Sequence, residues 1–276
     1  MQVRHIWGTA PSDVYACGLI GYHEEGKTDS WRGFVLHYDG TQWSQNYIYY
    51  VEGAYDVQVR HIWGTAPSDV YACGLIGYHE EGKTDSWRGF VLHYDGYSWK
   101  EVVQAQFNSQ FLKVRKNQNS IIVQSFSYEI GAVDVIGFYR VKDNALEKLH
   151  STNLDTVYWA SLHVINNKTY FVIGPDVYEY LATGKMVERL SFPQPEFRCQ
   201  IYGRTAADLF IAMKDGIAHY NGVDTQYLYK YPVTYMSGIN DPMIFDREVF
   251  FCIDNPLGSL KTRNMMLHGI LNEEGD

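Results

Sequence analysis

Short apolar runs recur along this chain with turn residues between them, and few of them alternate with polar positions. Val14, Tyr15, Ala16 and Cys17 are consecutive, as are Phe34, Val35 and Leu36. A strand exposed on one face alternates apolar with polar residues, so these strands are expected to be covered on both faces. The pattern near the N-terminus predicts four strands, over residues 3–8, 14–18, 33–38 and 43–50. Ala10-Pro11-Ser12-Asp13 closes the first connection, with Pro presetting φ and Ser and Asp bonding local amides. Asp39-Gly40 closes the last, as a two-residue primed hairpin in which Gly supplies positive φ.

The four-strand unit repeats. Residues 2–40 recur without change at 58–96, 56 residues further on, and all 39 positions match. The copies diverge immediately afterwards, Thr41-Gln42-Trp43 against Tyr97-Ser98-Trp99. A weaker copy begins at IYGRTAADLF, residues 201–210, and continues into His219-Tyr220-Asn221-Gly222 without the long insertion between its second and third strands. More degenerate units follow by spacing. One four-stranded unit cannot bury two apolar faces alone, so the units are expected to stack as the blades of an all-β propeller. The spacing gives about six four-stranded blades in a single domain spanning 1–276, near 2–56, 57–108, 109–155, 156–195, 196–236 and 237–276. The last is expected to lack a fourth strand, which would leave an open edge through which two molecules could associate.

Composition agrees with many short strands and tight turns: aromatics make up 16% of the chain, with 23 Tyr, 24 Gly and only 8 Pro. The formal charge of −9, with no cluster of Lys or Arg, argues against nucleic acid as a partner. No apolar run is long enough to span a membrane. Cys17, Cys73, Cys199 and Cys252 fit no zinc spacing and are expected to be small buried apolar residues, with no disulfide framework. The compartment is left open. Thirty-nine unchanged positions leave almost no room for drift, so the second copy is either a recent amplification or a deliberate one.

The stretch WGTAPSDVYACG…GFVLHYDGTQW resembles the repeats of bacterial β-propellers of the kelch and Asp-box (BNR) kind. Kelch blades are similar in carrying Gly after the second strand, Tyr at the end of the third and Trp opening the fourth. Cys17-Gly18, Tyr38 and Trp43 hold those places in the first copy, and Cys73-Gly74, Tyr94 and Trp99 in the second. The resemblance implies the propeller fold and a binding class of function.

In such a fold, loops joining strands two to three and four to one share one face, where binding residues concentrate. The long two-to-three loop places His23, Glu24, Glu25, Lys27, Asp29, Trp31 and Arg32 there, then His79, Glu80, Glu81, Lys83, Asp85, Trp87 and Arg88. Trp and Arg dominate binding hot spots, which singles out Trp31, Arg32, Trp87 and Arg88; the alternative is that each Trp packs on its own blade. His23-Glu24-Glu25 and Asp29 offer metal-ligating atoms but match no metal spacing, so no metal and no cofactor is expected. Arg4 and Arg60 begin innermost strands; they could bind a carboxylate or bond carbonyls of a channel wall. No nucleophile elbow or assignable carboxylate pair is visible, so no catalytic residue is named. The expected function is a non-catalytic interaction module holding a protein or extended ligand. The alternative is a carbohydrate-binding or sialidase-like, glycan-active propeller, favoured by Trp and Tyr that could stack on sugars.

Overall fold

The computed structural model describes the chain except residues 24–28, 80–81, 83–84, 107, 118–119, 128–132, 158, 232–237, 240, 255–263 and 271–276. Every regular element among the described residues is a β-strand, and none is a helix that could cross a membrane. The chain divides into two compact units, Met1–Tyr158 and Trp159–Asp276.

The first unit holds three antiparallel blades whose strands lie in chain order. They are β1 (Gln2–Ala10), β2 (Asp13–Tyr22), β3 (Ser30–Tyr38) and β4 (Trp43–Tyr49); β5 (Asp56–Ala66), β6 (Asp69–Tyr78), β7 (Ser86–Tyr94) and β8 (Trp99–Gln104); and β9 (Gln110–Asn117), β10 (Ser120–Ser127), β11 (Val135–Lys142) and β12 (Ala145–Asn153). A single parallel bridge, Trp31 to Asp56, joins the first two blades. The second unit repeats the plan with β13 (Ala160–Ile165), β14 (Lys168–Ile173), β15 (Asp176–Tyr180) and β16 (Met186–Ser191), then β17 (Phe197–Thr205), β18 (Asp208–Met213), β19 (Gly216–Tyr220) and β20 (Thr225–Lys230). Its last blade differs. Two short strands, β21 (Gly238–Ile239) and β22 (Met243–Ile244), share one side of β23 (Glu248–Asp254), and β24 (Asn264–Ile270) takes the other. Among the described residues no further strand pairs with β24.

Blades pack face to face through apolar residues. Tyr15, Cys17, Val35 and Tyr49 of the first blade meet Val59, Ile62, Ala72 and Leu92 of the second, whose other face, with Tyr71, Cys73 and Val91, meets Phe111, Val114 and Val123 of the third. In the second unit the same logic joins Val172 and Val177 to Ile201 and Ile211, and Phe210 and Ala212 to Val249 and Phe251. The second blade is thus buried on both sides, as its unbroken apolar runs require. Identical residues in the first blade fare otherwise: Val3 is 46% exposed and Ile6 57%, whereas Val59 and Ile62 are fully buried. Trp43 and Trp99, which share a place just beyond the repeat, are 47% and 8% exposed.

The hydrophilic residues of the repeat form a clip. Asp13 in the first turn bonds His37 at the end of β3 at 2.8 Å, Asp69 bonds His93 at 3.0 Å, and Asp208 bonds His219 at 2.7 Å. The Thr9 and Thr65 hydroxyls donate to the same aspartates in the two strong copies. Beyond the histidine, Asp39, Asp95 and Asn221 each accept two backbone N–H groups at 2.8–3.0 Å from the residues two and three ahead. The Tyr38, Tyr94 and Tyr220 hydroxyls donate to the carbonyls of Gly40, Gly96 and Gly222. The Asp39-Gly40 connection is therefore a four-residue loop held by an Asx turn, not the two-residue primed hairpin expected. Only Gly40 takes positive φ (95°), while the primed signature falls on Asp143-Asn144 and Asn166-Asn167, with φ of 48–58°. Opposite Val35 and Leu36 of β3, β4 carries a β-bulge at Asn46, and a bulge between third and fourth strands recurs in the first five blades.

Cys17, Cys73 and Cys199 are buried free thiols and Cys252 is half-buried. Burial pushes the Cys199 thiol up to about 11, which keeps it protonated.

Two predictions follow from the paired copies and the clip. Ile62→Ala opens a cavity in a filled core and should cost about 2–4 kcal/mol in urea unfolding, against less than about 1 kcal/mol for Ile6→Ala. Burial raises the Asp69 carboxyl, but hydrogen bonds from Lys116, Thr65 and His93 outweigh it and hold the group at about 2. A folded pKa below the ordinary 3.8 stabilises the protein above about pH 4 and ceases to as pH falls toward 2. Across that window Asp69→Asn should lose roughly 1–2 kcal/mol less stability than the parent, as followed by denaturant titration at each pH.

Candidate functional site

The segment expected to be a long two-to-three loop begins and ends as a two-stranded arm. The ladder between β2 and β3 continues through Ile20–Arg32, Gly21–Trp31 and Tyr22–Ser30, and the second copy does the same at Ile76–Arg88, Gly77–Trp87 and Tyr78–Ser86. Trp31, Arg32, Trp87 and Arg88 thus stand on strands. The reason is local: each Trp lies opposite a glycine, and its ring covers the backbone that the glycine leaves bare. The Arg32 guanidinium sits 3.2 Å over the Tyr22 ring and 4.8 Å from that of Tyr50, and Arg88 lies 5.3 Å over Tyr78. These arginines brace their own arms. At the arm tips, His23 Nδ1 is 2.5 Å from Asp29 and His79 Nδ1 is 2.6 Å from Asp85. The bond from His79, with a second from Tyr55, holds the Asp85 carboxyl below its ordinary range. Glu24, Glu25, Lys27, Glu80, Glu81 and Lys83 lie outside the described residues.

The two arms dock differently on the linkers that follow their blades. The Trp31 amide donates to the Tyr55 carbonyl at 2.9 Å, and the Trp87 amide donates to Asn108 Oδ1 at 2.8 Å. Trp31 is exposed, whereas Trp87 is half-buried with its ring 6.0 Å from that of Tyr55.

Trp87 and Arg60 come together in a cavity of about 260 Å³ inside the first unit, lined by Asp56, Gln58, Arg60, Leu75, Trp87, Gln110 and Phe126. Asp56, Gln58 and Arg60 fall on alternate positions of β5, so their side chains leave the strand on one face. The Gln58 amide donates to Asp56 Oδ2 at 2.7 Å, Arg60 Nε donates to Gln58 Oε1 at 3.2 Å, and Arg60 Nη1 donates to Gln110 Oε1. Asp56 is only 7% exposed, and its Oδ1 is buried with no hydrogen-bond partner among the described residues. Burial pushes the Asp56 carboxyl up, against the pull of the Gln58 amide and the charges of Arg60 and Arg4. Burial likewise pushes Arg60 down, and the neighbouring charge of Arg4 adds to this.

Of the sequence candidates, the structure brings Trp87 and Arg60 into this cavity. Arg4 is exposed and acts on Asp56 and Arg60 through its charge, while His23, His79, Trp31, Arg32 and Arg88 are not among the lining residues. Arg60 bonds side-chain amides rather than the wall carbonyls expected of it. Behind it, His5 and His61 stack at 4.1 Å, and Arg115 Nη1 lies 2.6 Å from His61 Nε2. Asp56, Gln58 and Gln110 escaped notice in the sequence. The signal for two of them was present as Asp-x-Gln-x-Arg on a first strand, a polar alternation within an otherwise apolar element.

No protein-family model matches the sequence, and no curated protein matches it. Solved structures do. The β-propeller domain of the Trilobed protease from Pyrococcus furiosus aligns over 96% of this chain and 83% of its own, at 11% identity and a TM-score of 0.52. The periplasmic gluconolactonase of Pseudomonas aeruginosa aligns over 92% and 83%, at 11% identity and 0.53. A streptogramin B lyase aligns over 99% and 84%, at 13% identity and 0.50. The fold is a β-propeller. At these identities the likeness speaks for architecture alone.

A Cβ added at Gly77 would meet the Trp87 ring at 2.7 Å, but at Gly21 its nearest neighbour, in the Trp31 ring, is 3.5 Å away. Gly77→Ala should therefore displace Trp87 and cost about 1 kcal/mol or more, visible in near-UV circular dichroism and the melting temperature. Gly21→Ala should change stability by less than about 0.5 kcal/mol.

Proposed function

We propose that this propeller is a non-catalytic binding module, taking a small polar ligand, or the end of a larger one, in the Asp56–Arg60 cavity of the first unit. The observation that carries this reading is Asp56 Oδ1, a buried carboxylate oxygen without a partner among the described residues. Leaving such an acceptor unpaired costs about 1–3 kcal/mol or more, and a ligand donor would recover that cost on binding. The surrounding amides, guanidinium and indole belong to a site that orients a ligand. The lining holds one carboxylate where glycoside hydrolysis uses two, and no nucleophile beside a base. Gluconolactonase and lyase activities belong to two of the structural neighbours and carry no weight at their level of identity.

The test is a thermal-shift screen of the full chain and of Asp56→Asn against three panels: neutral monosaccharides, amino acids and dicarboxylates. At least one panel should raise the parent's melting temperature by about 2 °C or more at saturating concentration, with no matching rise in the variant. No shift with any panel, or equal shifts in both proteins, would overturn the reading.

A further inference from the structure

We infer that the occupant of this cavity is a pyranose ring, free or at the end of a glycan, seated on Trp87 with one hydroxyl donating to Asp56 Oδ1. This inference rests on the binding role proposed above and adds the ligand's chemistry.

The polar groups on the wall set the terms. Asp56 Oδ1 needs a donor. Arg60 spends Nε and Nη1 on Gln58 and Gln110, which leaves its Nη2 group to donate to a ligand. Donors and acceptors therefore alternate along one strand face, bridged by the Gln58 amide. A simple anion can only accept, so it would meet the arginine and leave Asp56 Oδ1 as it stands. An ammonium brings three donors to a single open carboxylate oxygen, since the other oxygen is held by Gln58 at 2.7 Å. Neighbouring hydroxyls of a sugar each donate once and accept as well, so one can serve the carboxylate while the next serves the guanidinium. Such a ligand adds no charge to a pocket that already strains the charges it has.

The remaining wall supplies the other half of a sugar's chemistry. Trp87, Leu75 and Phe126 are apolar, and a pyranose presents C–H faces as well as hydroxyl edges. Trp87 is fixed for this purpose by its backbone bond to Asn108 and by its seat on Gly77, so little side-chain freedom is lost on binding. At about 260 Å³ the cavity is sized for one ring, not for an extended chain.

The experiment is isothermal titration of the full chain with methyl glucoside, methyl galactoside and methyl mannoside, with a panel of free amino acids in parallel. Binding of at least one glycoside is expected, weakened about tenfold or more by Trp87→Ala and by Asp56→Asn and unaffected by Tyr97→Ala, a change at a fully exposed turn. Trp87→Phe keeps a ring on Gly77 and should show an intermediate loss, which separates lost stacking from lost folding. A glycan array then tells a free sugar from a terminal residue. Amino acids binding in an Asp56-dependent way, with the glycosides silent, would overturn the sugar and keep the site. Glycoside binding indifferent to both Trp87 and Asp56 would overturn the placement. Silence from both panels would overturn the inference, and the dicarboxylate panel of the thermal-shift screen would then decide the binding role.

Discussion

Each blade of this protein has two apolar faces, and water can be kept from both only by a neighbour on either side. The duplicated segment makes the constraint visible, because the same residues occur in two surroundings. Between two blades, Val59 and Ile62 are sealed; at the start of the chain, Val3 and Ile6 are about half exposed. The difference owes nothing to sequence, so the stabilisation such residues provide belongs to the stack rather than to the blade. Everything else in the structure is arranged around keeping those faces flat, in register and close.

The clip of Asp, His, Thr and Tyr serves that end. Asp13 and His37 tie the first turn of a blade to the end of its third strand, and Asp39 then folds the chain into the fourth. Asp208, His219 and Asn221 repeat the device in a copy whose sequence has otherwise drifted far. The residue types that most suggest chemistry in this sequence are thus framework. The cavity draws instead on polar residues at the ends of first strands, where one blade gives way to the next.

The all-β blade plan was legible because two-sided burial leaves a direct mark: apolar residues in succession at Val14–Cys17 and Phe34–Leu36, with Gly and Asp between. The arms were not. Glycines 21 and 77 and the polar residues beyond them suggest a loop, and only the cross-strand Trp makes the ladder continue through them. The Asx loop was mistaken for a primed turn because both place glycine after aspartate, and the deciding bonds to residues 41 and 42 are invisible to a dipeptide rule. Trp87 and Arg60 were picked as binding types, yet for separate places. Their meeting depends on the register Asp56–Gly77 and on Gln110 arriving from another blade, which no local pattern encodes.

Asp56 lies two residues before the second copy begins, outside the repeated segment. The arm tryptophan and the first-strand arginine lie inside the repeated segment; the carboxylate lies outside it. Copying this segment alone therefore adds apolar faces without adding the acid, so packed cores and polar cavities need not multiply together.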